Sequence, residues 1–247
     1  MRRFWAWVLL LSTPVLALSG DEVLKRVEAR PTPKTLHGKM AMELINKQGK
    51  RLTRELEIWT KREGDVEKML IKFLAPPDVR GTAFLVIQKG DREEMKLYLP
   101  ALKKVRRVAG GQRRGSFMGS DFSYDDISRL GNLRSADYQS KLLREEGTFY
   151  VVEATPKPGV ASAYERLVIW VEKPHFDVVK IEFYRKGALY KVMTLDEIQT
   201  YAGKYRIPTR LVMENKKTRH KTVLLQRELE LDQPIPDSVF TERFMKR

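Results

Sequence analysis

The chain of 247 residues contains no cysteine. Disulfides, iron–sulfur clusters, thiolate zinc sites and cysteine nucleophiles are therefore excluded, as is a lipid anchor on an N-terminal cysteine. Histidine is almost as scarce. His37, His175 and His220 lie far apart, and none has a second histidine within one helical turn, which disfavours most metal and acid–base chemistry. No G-x-S-x-G, H-E-x-x-H or G-x-x-x-x-G-K-[ST] pattern occurs. The glycine-rich run Ala109–Ser116 lacks both the phosphate-binding lysine and a preceding buried strand. Asp121, Asp125 and Asp126 cluster, but placement at a helix N-terminus explains them without invoking a metal or a reaction. No enzyme, cofactor or metal is expected.

Acidic residues are the minority charge, 32 against 47 Lys+Arg, giving a net charge of +15. Such a balance would suit nucleic acid, yet no nucleic-acid motif accompanies it. With 42% hydrophobic and 32% charged residues, there is enough apolar material for a core, and intrinsic disorder is excluded.

Long hydrophobic runs are also missing. The one apolar run at the N-terminus, Phe4–Leu11 behind Arg2 and Arg3, is short of the ~20 residues a spanning helix needs. Followed by Pro14 and the small residues Ala17 and Ser19, it reads as a secretory signal peptide over residues 1–19. Cleavage near Ser19 would leave one domain, 20–247, in a bacterial periplasm, a compartment that suits a cysteine-free chain.

Beyond Gly20, Asp21–Ala29 has helical spacing of Val23, Leu24 and Val27, ended by Pro31 and Pro33. From Gly38 the apolar period becomes two. Strand-like runs lie at 39–45, 55–59, 69–73, 82–88, 94–99, 149–154, 165–172, 178–184, 189–199, 205–213 and 222–231, joined by short turns rich in Gly, Asp, Asn and Pro. Their spacing, without intervening helices, predicts an antiparallel meander rather than βαβ units. Lys103–Gln139 breaks the pattern. Within it Ser123 and Asp126 have capping-box spacing ahead of Ile127 and Leu130, with Gly131 as the expected C′ residue. Runs 82–87 and 167–171 are apolar on both parities, so both sides need cover. Few helices are available for it, which points to a hydrophobic cavity on the concave face. Methionines at Met40, Met42, Met69, Met193 and Met213 suit either a core or an adaptable apolar site.

Three stretches carry a resemblance. Phe73–Leu85 is a strand stopped by Pro76 and Pro77 and restarted through Gly81. Tyr98–Val108 contains Pro100 and two basic pairs, and Ser116–Ile127 carries Phe117, Met118, Phe122 and Tyr124. In this order and spacing they resemble the outer-membrane lipoprotein-sorting protein family, a LolA-like branch. The resemblance implies a mainly β fold with a few helices: an incomplete, half-open antiparallel β-barrel of the LolA/LolB type with a helical lid. It implies a carrier or chaperone whose cavity takes the acyl chains of lipoprotein or free lipid on the way to the outer membrane. A lipid-sensing periplasmic regulator of a membrane partner would share that fold.

On this basis the expected cavity walls are Met40, Met42, Leu44, Leu56, Ile58, Ile71, Phe73, Leu97, Leu99, Ile169, Ile181, Met193 and Leu211. The lid residues would be Phe117, Met118, Phe122 and Ile127. Lys103, Lys104, Arg106, Arg107, Arg113 and Arg114 form a basic segment that either docks on an anionic membrane surface as a mobile flap or is a solvated loop. Expected partners are lipid or lipoprotein acyl chains, with transient contacts to inner- and outer-membrane proteins, and no nucleic acid. The chain is expected to be a monomer.

Overall fold

The computed structural model of the protein describes residues 18–130 and 133–247. The expected leader up to Ala17 and the expected C′ glycine Gly131 fall outside the described residues.

Thirteen antiparallel strands form one sheet: β1 (Thr35–Ile45), β2 (Arg51–Glu63), β3 (Val66–Ala75), β4 (Ala83–Lys89), β5 (Arg92–Leu99), β6 (Lys104–Arg107), β7 (Tyr138–Glu146), β8 (Phe149–Pro156), β9 (Arg166–Glu172), β10 (Val178–Arg185), β11 (Ala188–Tyr201), β12 (Tyr205–Asn215) and β13 (Lys221–Leu231). Their order is β6-β5-β4-β3-β2-β1-β13-β12-β11-β10-β9-β8-β7. Among the described residues, only the β1–β13 pair joins strands distant in sequence, through partners such as Ala41 and Leu225. The meander closes on itself there and stays open between β6 and β7, which stand at its two edges. This is a half-open barrel.

Residues 108–137, the connection from β6 to β7, carry α2 (Tyr124–Ser128). The Ser123 hydroxyl accepts from the Asp126 N–H, and the Asp126 carboxylate accepts from the Ser123 N–H, completing the expected capping box. The connection drives Phe117 and Phe122 into the concave face, where both are fully buried. Phe117 lies 5.8 Å from Phe73 of β3 and 5.3 Å from Phe84 of β4. The same connection reaches β13, where the Thr222 hydroxyl meets the Asp121 backbone and carboxylate. One segment can touch β3, β4 and β13 only because the sheet is strongly curled.

Helix α1 (Gly20–Glu28) covers the other half of the hollow. A second capping box, Ser19 with Glu22, starts it. Val23, Leu24 and Val27 enter the same core as Phe117 and Phe122. A Cβ on Gly20 would stand 2.6 Å from the Lys141 backbone carbon, so only glycine permits the helix to lie this close to β7. The Asp21 carboxylate accepts the Ser140 N–H at 3.1 Å, satisfying a backbone donor on that edge strand.

The outer face of β2–β4 is apolar too, and the C-terminus covers it. Trp59, Leu70, Ala83 and Leu85 pack against Ile235, Val239, Phe240 and Met245, presented by a 3-10 turn (Asp237–Phe240) and α3 (Glu242–Met245). This is the cover that the doubly apolar run 82–87 required. On β9, Trp170 is roofed instead by long cations, with Lys180 Nζ 3.9 Å from its ring.

Candidate functional site

The hollow of the barrel is not filled throughout. A cavity of about 340 Å³ lies along the concave side of β9–β12, beneath the end of α1 and the chain that follows α2. Inward-facing residues alternate along these strands, so Ile181 and Phe183 of β10, Met193 and Leu195 of β11 and Met213 of β12 line one wall. Cross-strand pairing places Ile181 opposite Met193, and Met193 opposite Met213. Val27, Leu130 and Leu133 close the opposite side. From Val178 to Phe183 the lining covers five residue steps, about 17 Å at the rise of a strand.

The ends of this channel are polar. At one, Asp126 and Tyr164 line the cavity, and Lys191, behind them, is almost fully buried. The Tyr164 hydroxyl donates to Asp126 Oδ1 at 2.8 Å, and Lys191 Nζ donates to Asp126 Oδ2 at 3.1 Å. Burial, reinforced by the neighbouring Asp126 carboxylate, pushes the Tyr164 hydroxyl well above its usual range. Asp125 beside it holds Arg113 at 2.7 Å. At the other end, the carboxylate of Asp177, 1% exposed, is clamped by Arg30 and Arg206. Arg62 and Glu67 face each other there at 3.5 Å. The charged groups at both mouths are thus paired with one another, although Arg30 Nε is buried with no acceptor. An apolar channel between such polar ends can hold a hydrocarbon.

Of the thirteen residues expected as cavity walls, the structure brings Ile181 and Met193 to this channel. Met42, Leu56, Ile71, Phe73, Leu97 and Ile169 are buried in the core beneath the connection. Met40, Ile58, Leu99 and Leu211 are partly buried against it, and Leu44 lies at the β1–β2 end of the barrel. The half of the hollow formed by β1–β5 is filled by Phe117, Phe122 and Ile127, which are fully buried, while Met118 is partly so. These lid residues act as a plug over that half. The residues that actually line the space, Leu167, Phe183, Leu195 and Met213, sit on strands whose alternation resembles that of the filled half. Sequence parity identifies the inner face but not which part of it neighbouring segments will cover.

The basic segment is more ordered than a flap. Lys104–Arg107 is strand β6, paired to β5 from Leu99 to Lys96, and Gly110–Arg114 is a 3-10 turn. Arg113 is fixed between Glu93 and Asp125. Lys103, Lys104, Arg106, Arg107 and Arg114 are exposed and, among the described residues, make no ion pair. Leu102 beside them is 46% exposed.

A protein-family model described as an uncharacterized protein matches residues 65–247. No curated protein matches the chain. Among solved structures, it is similar to a protein from Vibrio parahaemolyticus assigned as an outer membrane lipoprotein-sorting protein domain. The two are 33% identical over 92% of this chain and 98% of that one, with a TM-score of 0.84. A DUF1329 family protein from Desulfovibrio piger is 29% identical over 92% and 97% of the two chains, with a TM-score of 0.85. A LolA superfamily protein from Nitrosomonas europaea, 23% identical over 92% and 100%, has a TM-score of 0.70 and shares the fold.

Proposed function

The chain belongs to the outer membrane lipoprotein-sorting family with the LolA-like fold, and we propose that it is a non-enzymatic periplasmic carrier that holds an acyl chain of a lipoprotein or lipid in the channel along β9–β12. The observation that carries this reading is the channel itself: about 340 Å³ of space between polar ends, lined along β9–β12 by apolar side chains. Each CH₂ moved from water into such a space contributes ~0.8 kcal/mol, so a partly enclosed chain is already a firm ligand. The paired state of Asp126, Lys191, Asp177 and Arg30 supports holding over reacting.

The periplasm is supported by the N-terminal leader pattern and by the family. Among the described residues no helix is long and apolar enough to cross a membrane. The exposed cations of β6 with Leu102 form a surface suited to anionic head groups, where each cation contributes ~1 kcal/mol. This would bring the carrier to the membranes between which it moves cargo.

The test is transfer. Protein loaded with a fluorescent fatty-acyl lipid from donor liposomes should deliver it to acceptor liposomes faster than spontaneous exchange. Lipid that loads but never leaves would point to a sensor, and failure to load would remove the reading.

A further inference from the structure

At the barrel end opposite the Arg30–Asp177 mouth, the inner face of β2 carries a cation where apolar residues belong. Arg54 stands between Leu52 and Leu56 on that face and pairs across the ladder with Met42. It is 8% exposed, and no carboxylate lies within ion-pair distance of it among the described residues. One of its nitrogens donates to the Met118 carbonyl, and its charge lies 6.0 Å from the Phe73 ring. The Nε–H is buried with no acceptor. A guanidinium presents five donors, so one carbonyl leaves most of its capacity unused. Asp78 acts on this charge only from beyond ion-pair distance, and a buried charge without a direct counter-charge is among the costlier features a core can contain.

Arg54 lines a recess of about 410 Å³ together with Leu44, Lys50, Arg51, Leu52, His220 and Lys221. Among the described residues, Arg51 and Lys221 have single, exposed ion pairs, with Glu43 at 3.2 Å and Glu214 at 3.9 Å. The one acid lining the recess, Asp121, accepts the Thr222 hydroxyl at 2.8 Å. Leu52, at the rim, is 46% exposed.

We propose that this recess is an anion site, in which Arg54 binds a carboxylate or phosphate oxyanion through its planar fork while Lys50, Arg51 and Lys221 draw the anion in. Guanidinium and oxyanion match bidentately. Such an anion supplies both the missing acceptor and a counter-charge in direct contact. The oxyanion is either a free ion or the head group of an amphiphile whose first carbons lie on Leu44 and Leu52. The site is separate from the acyl channel and does not depend on it.

The experiment titrates inorganic phosphate, dodecyl phosphate and dodecanol into the whole protein, following the Arg54 Nε–Hε resonance by NMR and the melting temperature. Wild type should show that resonance shifting with inorganic phosphate, which identifies a free-ion site, or with dodecyl phosphate alone, which identifies a head-group site. Dodecanol should leave it unmoved. R54M should fold, because an unbranched apolar side chain replaces an unpaired charge, and should lose about tenfold or more in affinity for the active anion. R54K, which keeps charge but not the fork, should fall between the two. M193W, which fills the acyl channel, should bind the anion as wild type does. An Nε–Hε resonance unmoved by either phosphate, or equal anion affinity in R54M and wild type, would overturn the proposal whatever becomes of the acyl channel.

Discussion

Asp126 of α2 and Lys191 of β11 meet at 3.1 Å with their side chains only 6% and 7% exposed. The contact ties the connection between the sheet edges to a strand of the opposite half, at one end of the channel. Tyr164 completes it by donating to both carboxylate oxygens, at 2.8 and 3.0 Å. Removing one member of such a buried pair strands the other. K191M should therefore cost about 3–5 kcal/mol, and adding D126N should restore part of it, with a coupling of about 0.5–3 kcal/mol in a double-mutant cycle. Urea unfolding of the four proteins measures both. Additive losses would mean that the two side chains do not act as a pair.

The two halves of the barrel should respond differently to mutation. L56A cuts into the half plugged by Phe117 and Phe122, where Leu56 is 2% exposed. It should lose about 2–5 kcal/mol of stability while still binding a fluorescent fatty acid. M193W pushes an indole into the channel. It should lose probe binding at least about tenfold for a stability cost of about 1–3 kcal/mol. Thermal melts and probe titrations on the same samples separate the effects, and an inverted pattern would place the ligand under the plug instead.

Much of this fold is legible from alternation alone, and the exceptions have physical causes. Most of strands β1–β5 and β8–β13 turn apolar residues to the core at every second position, and β4 and β9 are apolar at consecutive positions because their outer faces are covered as well. The edge strands hide from that signal. In β6 only Val105 is even partly buried, and in β7 Tyr138 alone is fully so, because an edge strand is solvated on more than one side. The C-terminal cover is missed because Ile235, Val239, Phe240 and Met245 follow neither period. Asp126 reads correctly as a capping residue, but Lys191 reaches it from β11 and Tyr164 from the connection ahead of β9. Arg54 looks like one more charge in a basic chain until its burial is known.

The seat of α1 depends on Gly20 and Ser19. G20A forces a Cβ against the β7 backbone, and should lower stability by about 1–3 kcal/mol. It should also weaken probe binding, because Val27 at the far end of the helix lines the channel. In protein that retains Ser19, S19A, which removes the cap hydroxyl from Glu22 N–H, should cost about 1 kcal/mol. Melting curves and probe affinity for each variant test the linkage. Full probe binding in G20A would detach the helix from the site.

His37 makes stability pH-dependent from the outer face. Its ring stacks on Trp59 at 5.3 Å and meets Glu57 at 2.7 Å and Glu230 at 3.3 Å. Burial disfavours its charged form, but the two carboxylates outweigh this and the pKa lies above the ordinary 6.5. The folded state therefore binds the proton more tightly. The stabilisation is complete below about pH 6.5 and is lost as pH rises through the folded value. Relative to H37Q, the wild-type advantage should shrink from pH 5.5 to pH 8, and an advantage that grows would contradict the assignment.

The basic edge is tested by charge removal. The quadruple variant K103Q, K104Q, R106Q and R107Q removes cations that make no ion pair in the described structure, so folding should be unaffected. Flotation with phosphatidylglycerol vesicles at low salt should fall by more than tenfold, from ~1 kcal/mol per cation. Unchanged flotation would return β6 to the role of a solvated edge.

The most direct test of the account is to locate a bound acyl chain. A diazirine-bearing palmitic acid, photolysed on the full protein and mapped by peptide mass spectrometry, should label the segments containing Ile181, Met193 and Met213, and palmitic acid in excess should suppress the labelling. Adducts confined to the outer surface, or labelling that excess palmitic acid does not reduce, would show that the channel along β9–β12 holds no fatty tail.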